Sequence, residues 1–528
     1  MRNKSKIFFL VIIIFFLSLI VHYYPVWQKG CQYDIFVENL VLAKNLKLSG
    51  IYSFENDKNI VLNSDLVKDK GVLATTGNKL TPIIYQYIFK YFGFHPNWPF
   101  YISLLIFSLV NVLLFFIVLK IFDLQIACLF SLVNIFIPVI ARGSAIGGYY
   151  EWAILFFSIG LICYFYPKKE NRSNNQWLQF ILASVFWGCA IMARNAFLLS
   201  FIPFIIFDSW QHKNIKRGIA LIVPIFILFS IFIAPDYLNG NSIYSPRPKI
   251  TYNGHLFPDP YTYYYSKDEY LNSLKNPDVD QIAFLLKYKQ KVSIVQQVES
   301  YISSAFFYIK QIFRLVTLGG VLILLLLGIG WHCLKKKNYF LMKLFSLWFG
   351  FLFFSLIFLR TSNWNHFLEI SFPICVLIAL GIYQLLGYIQ KLDLSEKWKL
   401  FWSAILILSL TLHFIEANRW SFHEIYATTK TEELINLANK INNNVNLIEK
   451  NDVIAVGIDQ QAPLLLNYYT DKNYIYFDPQ TVKKLLFQNK LVWAFEQFGV
   501  TKYTGFDKDL SMEISKQFKQ DPFVIIGD

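Results

Sequence analysis

Runs of about twenty mostly apolar residues recur along this chain, and no other feature constrains its fold so strongly. Each run is long enough to cross a hydrocarbon layer about 30 Å thick as a helix. Lipid offers the backbone no hydrogen bonds, so a crossing segment must satisfy its own amides, and a helix does this. The runs fall at about 7–24, 98–119, 122–140, 149–166, 177–193, 195–208, 218–235, 315–334, 341–359, 367–387 and 400–417. Only 16% of the 528 residues are charged and 55% are hydrophobic, whereas a soluble domain averages about 25% charged. The expected fold class is a polytopic α-helical membrane protein with about eleven transmembrane helices. The pair at 177–208 also fits one long re-entrant unit.

Charge gives the expected orientation. The formal net charge is +14, but a basic total does not point to nucleic acid here. Lys and Arg concentrate in short links: "KKENR" (168–172), "HKNIKR" (212–217), "KKK" (335–337) and "QKLDLSEKWK" (390–399). All fall on one side with the basic N-terminus "MRNKSK", the pattern of cytoplasmic loops. No small-residue cleavage site follows the first run, so it reads as an uncleaved span with its N-terminus in the cytoplasm. The C-terminus is then outside. Five of the six cysteines (Cys128, Cys163, Cys189, Cys333, Cys375) lie in or beside apolar runs, and only Cys31 sits in an outer loop. That distribution is no disulfide framework.

Three segments are too long and polar to be links, and all fall on the outer side. In the first, 25–97, Asp34 heads an apolar-patterned helix, "DIFVENLVLAKNLKLSG", with Gly50 as its stop. Its polar face is Glu38, Asn39, Lys44, Asn45 and Lys47, as in a helix lying in the membrane interface. A second interfacial helix, "NKLTPIIYQYIFKYFG" (78–93), ends at Gly93. The second segment, 236–313, is rich in Tyr and Pro. The third, 418–528, alternates strand-like and helical stretches ("DVIAVGI", "APLLLNYYT", "NYIYFD", "TVKKLLFQNKLVWAFEQFG", "VTKYTGF", "PFVIIGD"). This predicts a small C-terminal α/β domain with a mainly parallel sheet. It has no glycine-rich phosphate loop. The domain organisation is thus a transmembrane module over 1–417, carrying outer loops 25–97 and 236–313, and an extracytoplasmic α/β domain over 418–528.

Ionisable residues near a bilayer are costly and mark candidate sites. Arg142, Arg194, Lys310, Arg314 and Arg360 sit at outer span ends, with His366 nearby. Taken singly they could snorkel to headgroups. As a set they could ring an outer cavity suited to a lipid phosphate, which Arg binds bidentately. The acids are Asp34, Glu151 in "GSAIGGYYEWA" and Glu369 in "NWNHFLEISFP". Glu151 also suits a helix dipole, Glu369 could pair with Arg360 or His366, and Asp34 could simply be an N-cap. A residue can cap a helix and act as a base at once.

The layout as a whole resembles the GT-C superfamily of integral-membrane glycosyltransferases. The first outer loop "YDIFVENLVLAKNLKLSGIYS", the helix "LTPIIYQYIFKYFG", then "ARGSAIGGYYEWAILFF", "GCAIMARNAFLL" and "NWNHFLEISFPICVLIALGI" carry the likeness. It is similar in layout to protein O-mannosyltransferases and lipid A aminoarabinose transferases. The resemblance implies an inverting transfer from a polyprenyl-phosphate sugar, with or without a divalent metal. It implies Asp34 as general base on the acceptor and Glu151 as the second-loop acid. Where many relatives carry an Asp-Glu pair, this chain has Asp34-Ile35. Arg194 in "ARNA" matches the family's Arg between middle spans. Arg142, Arg194, Arg314, Arg360 and His366 would hold the donor phosphate.

The chemistry is coherent. Displacement at an anomeric carbon needs a base near the attacking hydroxyl and charge stabilisation for the leaving phosphate. Tyr261 and Tyr263, in a Tyr-rich stretch at 244–265, could stack on sugar faces, with Glu369 also on the substrate. The expected partners are a polyprenyl-phosphate sugar donor, membrane lipid, and a glycan, lipid or protein acceptor. The expected location, by architecture, is a bacterial-type inner membrane; the sequons Asn3-Lys-Ser and Asn171-Arg-Ser, both on the predicted cytoplasmic side, fit it. A transporter or flippase, or a lipid-linked glycan polymerase or ligase, would also place charge near the membrane. Transporters, however, put it near mid-membrane between repeats.

Overall fold

The structure is a computed structural model. It describes residues 2–29, 40–44, 47, 55–56, 59–63, 79–148, 150–165, 173–194, 196–212, 215–238, 294–311, 321–358, 364–428, 431–443, 448, 452–458, 462–470, 472–476, 482–483, 486–487, 489, 491–497, 500–505, 507–518 and 524–526. In chain order the elements begin with α1 (Arg2–Lys29), β1 (Glu55–Asn56), β2 (Asn59–Asn63), α2 (Leu80–Phe92), α3 (Trp98–Ile121), α4 (Leu124–Phe136), α5 (Pro138–Ser144) and α6 (Glu151–Phe165). There follow α7 (Ser173–Ala193), α8 (Phe197–His212), α9 (Ile215–Leu238), α10 (Ile294–Gln311), α11 (Val321–Lys337) and α12 (Tyr339–Phe358). A 3-10 helix, Trp364–Ile370, leads into α13 (Ser371–Lys391) and α14 (Glu396–Thr428). The tail holds α15 (Thr431–Asn443), β3 (Val453–Gly457), α16 (Ala462–Thr470), β4 (Asn473–Tyr476), α17 (Leu491–Gln497), β5 (Val500–Gly505), α18 (Lys508–Phe518) and β6 (Val524–Ile526).

The chain divides into two compact units. The first comprises Met1–Cys31, Pro99–Pro235 and Val295–Ala427, and the second Gln32–Trp98, Asp236–Ile294 and Thr428–Asp528.

The first unit is helical, and each of the eleven apolar runs contains helix. Among the described residues, five stretches are long and apolar enough to cross a membrane by themselves: Ser5–Tyr24, Trp98–Ile121, Tyr339–Ile357, Phe367–Lys391 and Glu396–Glu416. The expected count of eleven crossings is therefore coarser in the structure. Glu151–Phe165, Trp177–Ala193, Phe197–Gln211 and Arg217–Phe232 are apolar but shorter. The run 177–208 forms two helices, α7 and α8, with a break after Ala193.

The run at 122–140, read from sequence as one span, is instead two helices bent by 60°. Pro138 is the cause. A residue before proline is pushed out of helical geometry, and Ile137 stands at φ −66°, ψ 126°. Pro138 then opens α5, where a missing N–H costs nothing. The bend gives Arg142 a short helix of its own, not the end of a span.

Buried polar side chains tie the first helices together. Asn111 of α3 donates to Ser18 Oγ of α1 at 2.9 Å, and Asn134 of α4 donates to Asn111 Oδ1. The His22 ring of α1 reaches Ile135 O at 3.0 Å. Such bonds join helices where the hydrophobic effect does not.

Helices α11 and α13 meet through glycine. A Cβ on Gly330 would overlap the Leu377 carbonyl oxygen, and one on Gly381 would overlap that of Leu326. Only bare backbone allows this reciprocal approach. Gly381→Val should force the helices apart and cost about 1–3 kcal/mol, the usual range for overpacking. Thermal melting of the purified protein reads this, and an unchanged midpoint would show that the contact is not required.

The second unit is built on a six-stranded sheet in the order β1-β2-β4-β3-β5-β6. From β2 onward neighbouring strands are parallel, and only β1 pairs antiparallel, with β2. The strands near 453, 473, 500 and 524 stand where the alternation placed them. The long helix expected over 481–499 is present as α17, 491–497. Two strands come from the first polar segment, which had read as loop: Val61 pairs with Tyr474, and Asn63 with Tyr476. The sheet therefore draws on both ends of the chain and is not confined to 418–528.

The helix after Asp34 also differs from its sequence reading. Within the described residues 40–44, Leu40, Val41, Leu42 and Ala43 are all buried, and so is Lys44. A helical stretch covered on every side, as these five residues are, belongs to a core and not to an interface. Lys44 belonged to the expected polar face. Its Nζ instead donates to Asn467 O at 2.8 Å and Tyr468 O at 3.0 Å, two of the last carbonyls of α16. A cation there satisfies carbonyls without intrahelical partners and faces the negative end of the dipole. The second expected helix forms as α2, stopping before Gly93 at φ 79°.

Candidate functional site

Among the described residues, five charged side chains are buried in the first unit: Arg142, Glu151, Arg194, Asp208 and Glu369. Asp208 pairs with Arg217 at 3.1 Å; the other four were candidates from sequence. Burial rules out snorkelling for both arginines, whereas Lys310 is exposed.

The short turn between α7 and α8 carries Arg194. Its N–H continues the helical pattern to Ala190 O at 2.8 Å, and Phe197 N already bonds back to Arg194 O at 3.1 Å. The guanidinium Nε stands 3.4 Å from Glu369 Oε1, with 3% and 0% of the two side chains exposed. Its flat face lies over the Tyr150 ring, 4.2 Å from Cζ to centroid. Stacking on an aromatic face is a use that a Lys would not serve as well, and a desolvated cation–π contact is worth about 2 kcal/mol.

Glu369 is set by the 3-10 helix. Ser200 of α8 donates to its backbone oxygen at 3.2 Å, which joins the same two segments a second time. The described partner of Glu369 is thus Arg194. The sequence had offered Arg360 or His366, and the side chains of both lie outside the described residues.

Arg142 lies in α5. The adjacent Gly143 is pressed against Leu368, whose methyl would lie 3.0 Å from a Cβ at that position. This contact brings the α5 segment to the segment carrying Glu369. Between α5 and α6 the chain turns tightly. A Cβ on Gly147 would be 2.5 Å from the Pro99 carbonyl carbon, and Gly148 adopts φ 94°. Neither position suits a side chain. Ser103 of α3 holds the turn by donating to Ser144 O at 3.0 Å. Glu151 Oε1 accepts from Gly148 N at 3.0 Å. As an acid in the first turn of α6 it also complements the dipole. Its helix-start reading from sequence therefore matches what it does locally, without excluding chemistry.

Two contributors were missed. Tyr150 under Arg194 and Ser200 on Glu369 O are ordinary residues in sequence. The only hint was that Tyr150 adjoins Glu151. Asp34, Tyr261, Tyr263, Arg314 and Arg360 lie outside the described residues. Among the described residues no three His, Cys, Asp or Glu converge so as to hold a metal ion.

The arrangement has a chemical consequence. Arg194 pairs with Glu369, and Arg142 and Glu151 are buried in the same unit, so these four groups balance in charge. A site for a phosphate dianion needs further cations. The Arg194 guanidinium, fixed by stacking and pairing, would meet an arriving oxyanion already oriented.

The architecture defines a class. No family model matches the chain, and no curated protein matches it in sequence. Solved structures do match. ArnT from Cupriavidus metallidurans bound to undecaprenyl phosphate aligns over 96% of this chain and 88% of that one, at 10% identity and TM-score 0.52. The oligosaccharyltransferase AglB from Archaeoglobus fulgidus, in complex with an inhibitory peptide and a dolichol-phosphate, aligns over 97% of this chain and 70% of that one. Identity there is 10% and the TM-score 0.58. The A. fulgidus enzyme tethered to an acceptor peptide containing the NVT sequon gives 11% identity over 95% and 69%, also at TM-score 0.58. At such identities the likeness is one of fold. The chain has a GT-C-like fold, with membrane-crossing helices as its main body.

Proposed function

We propose that this chain is a membrane glycosyltransferase that takes its sugar from a polyprenyl-phosphate donor. The reading is carried by one observation: in a GT-C-like fold, Arg142, Glu151, Arg194 and Glu369 are buried together with Tyr150 in the membrane-spanning unit. Charge so placed is costly unless it serves a site. Support for the donor class comes from the neighbours in fold, solved with undecaprenyl phosphate and with dolichol-phosphate.

In this reading transfer is inverting and takes place at the outer face of an inner membrane, with the C-terminal residues extracytoplasmic. Asp34 removes the proton from the attacking hydroxyl of a glycan, lipid or protein acceptor. Arg142 and Arg194 stabilise the leaving phosphate, and Arg314, Arg360 and His366 supply the further positive charge that the balanced four lack. Tyr261, Tyr263 and Glu369 hold the sugar. Glu151 is the second acid. No step is routed through a metal, and activity with and without a chelator tests that directly.

The purified protein in lipid nanodiscs, given a labelled polyprenyl-phosphate sugar and a mixed acceptor, should release free polyprenyl phosphate in step with sugar transfer. Movement of intact donor between leaflets without cleavage would instead establish a flippase.

A further inference from the structure

The sheet of the second unit reverses its direction of growth at its centre. β3 lies between β4 and β5. The chain leaves β3 to build β4 on one side, then returns past β3 to build β5 and β6 on the other. All four are parallel, so the carboxyl ends of β3 and β5 emerge side by side. The next strands after β3 and β5 lie on opposite sides of that pair. In open parallel sheets ligands bind in the crevice beyond the carboxyl ends of the strands at such a switch point.

Here both strands end in glycine, and Gly457 and Gly505 are direct partners in register. Neither offers a side chain to close the crevice. Over them lies the hydroxyl of Tyr503: a Cβ on Gly457 would collide with Oη, and one on Gly505 would stand 2.9 Å from it. The ring is fixed, fully buried and stacked on Phe495 with centroids 6.3 Å apart. Its Oη has no hydrogen-bond partner among the described residues. A phenylalanine would fill the same core without the cost of an unsatisfied buried hydroxyl. A hydroxyl kept there calls for something to bond to.

The neighbouring charges indicate the kind of ligand. Asp507 follows β5, accepts from Leu510 N at 3.0 Å and caps α18. It also pairs with Lys483 Nζ at 2.8 Å. The helix N-terminus that would attract an anion thus already holds its carboxylate. Backbone and Lys483 hydrogen bonds keep Asp507 ionised, below the usual carboxylate range. Burial and the Asp507 charge keep the Tyr503 phenol protonated. The edge offers one neutral donor and one charged acceptor that still has lone pairs free. Hydroxyl groups match that pair, and a free phosphate or carboxylate would meet repulsion from Asp507.

We propose that the carboxyl ends of β3 and β5 hold a neutral saccharide, with Tyr503 Oη donating to one ligand oxygen and Asp507 accepting from a ligand hydroxyl. The site stands on the sheet and not on the transfer reaction, so its test is binding. Neutral methyl glycosides of hexoses and N-acetylhexosamines, with uronic acids as anionic controls, are presented to the full chain in nanodiscs and followed by saturation-transfer NMR. At least one neutral glycoside should bind. Tyr503→Phe should weaken it at least tenfold, while the melting midpoint of the free variant holds or rises. Asp507→Asn, which still caps α18, should weaken it as well. Equal binding to wild type and Tyr503→Phe, binding of uronic acids alone, or no binding of any neutral glycoside would overturn the proposal.

Discussion

Replacing Arg194 with Met should destabilise the membrane-spanning unit by about 3–5 kcal/mol, and replacing Glu369 as well should recover much of that loss. The reason lies in the geometry. Both side chains are almost wholly buried and 3.4 Å apart, so removing one takes a close counter-charge from the other in a desolvated place. Removing both leaves an apolar gap that Met can fill. Melting of the two single variants and the double variant in nanodiscs reads the coupling directly. The same three proteins separate packing from chemistry. If Arg194 also stabilises a leaving phosphate, Arg194→Met/Glu369→Met should regain its fold yet stay at least a hundredfold slower in transfer. A double variant that recovers both stability and transfer would reduce the pair to a structural tie. Arg194→Lys gives a third comparison: it keeps the charge but loses the stacking on Tyr150, so partial loss is expected.

Asp34→Asn should lower transfer by roughly a hundred- to ten-thousandfold, the usual contribution of a general base, while leaving the protein as stable as before. Asparagine caps a helix about as well as aspartate, so the substitution separates the two roles that the sequence assigns to this residue. Donor binding, measured with labelled polyprenyl-phosphate sugar, should be unchanged. Full activity in Asp34→Asn would remove the base assignment, and the capping role would then suffice. Asp34→Ala should lose activity and some stability together.

Much of the fold was legible because lipid allows few alternatives. Apolar runs of spanning length have to become helices, and every one of them contains helix. The break at Pro138 was also present in the sequence, but an apolar run does not reveal a bend unless the proline's effect on Ile137 is taken into account. The tail's strands were legible from alternation. β2 was not, since "NIVLN" is short and its partner lies in a distant part of the chain. Lys44 was misplaced for a related reason. Periodicity assigns a polar residue to a polar face, and only tertiary structure shows two helix-end carbonyls waiting for it. At the site, the charges were found through their cost in a membrane. Their partners were not, because Tyr150 and Ser200 carry no such signal. Glu369 was given the nearest cations in sequence, whereas the bundle supplied Arg194 from a turn some 170 residues earlier.

The pairing of β2 with β4 imposes an order in time. Val61 and Tyr474 are joined in one ladder, but about 400 residues separate them, including every helix of the membrane-spanning unit after the first. At the ~5–20 residues per second of protein synthesis, roughly 20–80 s pass between the emergence of one strand and the other. During that interval the early strand has unsatisfied backbone groups along one edge, which invites pairing with other chains. The sheet therefore acts as a late checkpoint: it closes only on a chain whose bundle has already been inserted and whose tail has been delivered to the same side. Pulse-labelled chains released at increasing length should stay sensitive to protease in this unit until β4 and β3 are present, then become resistant together.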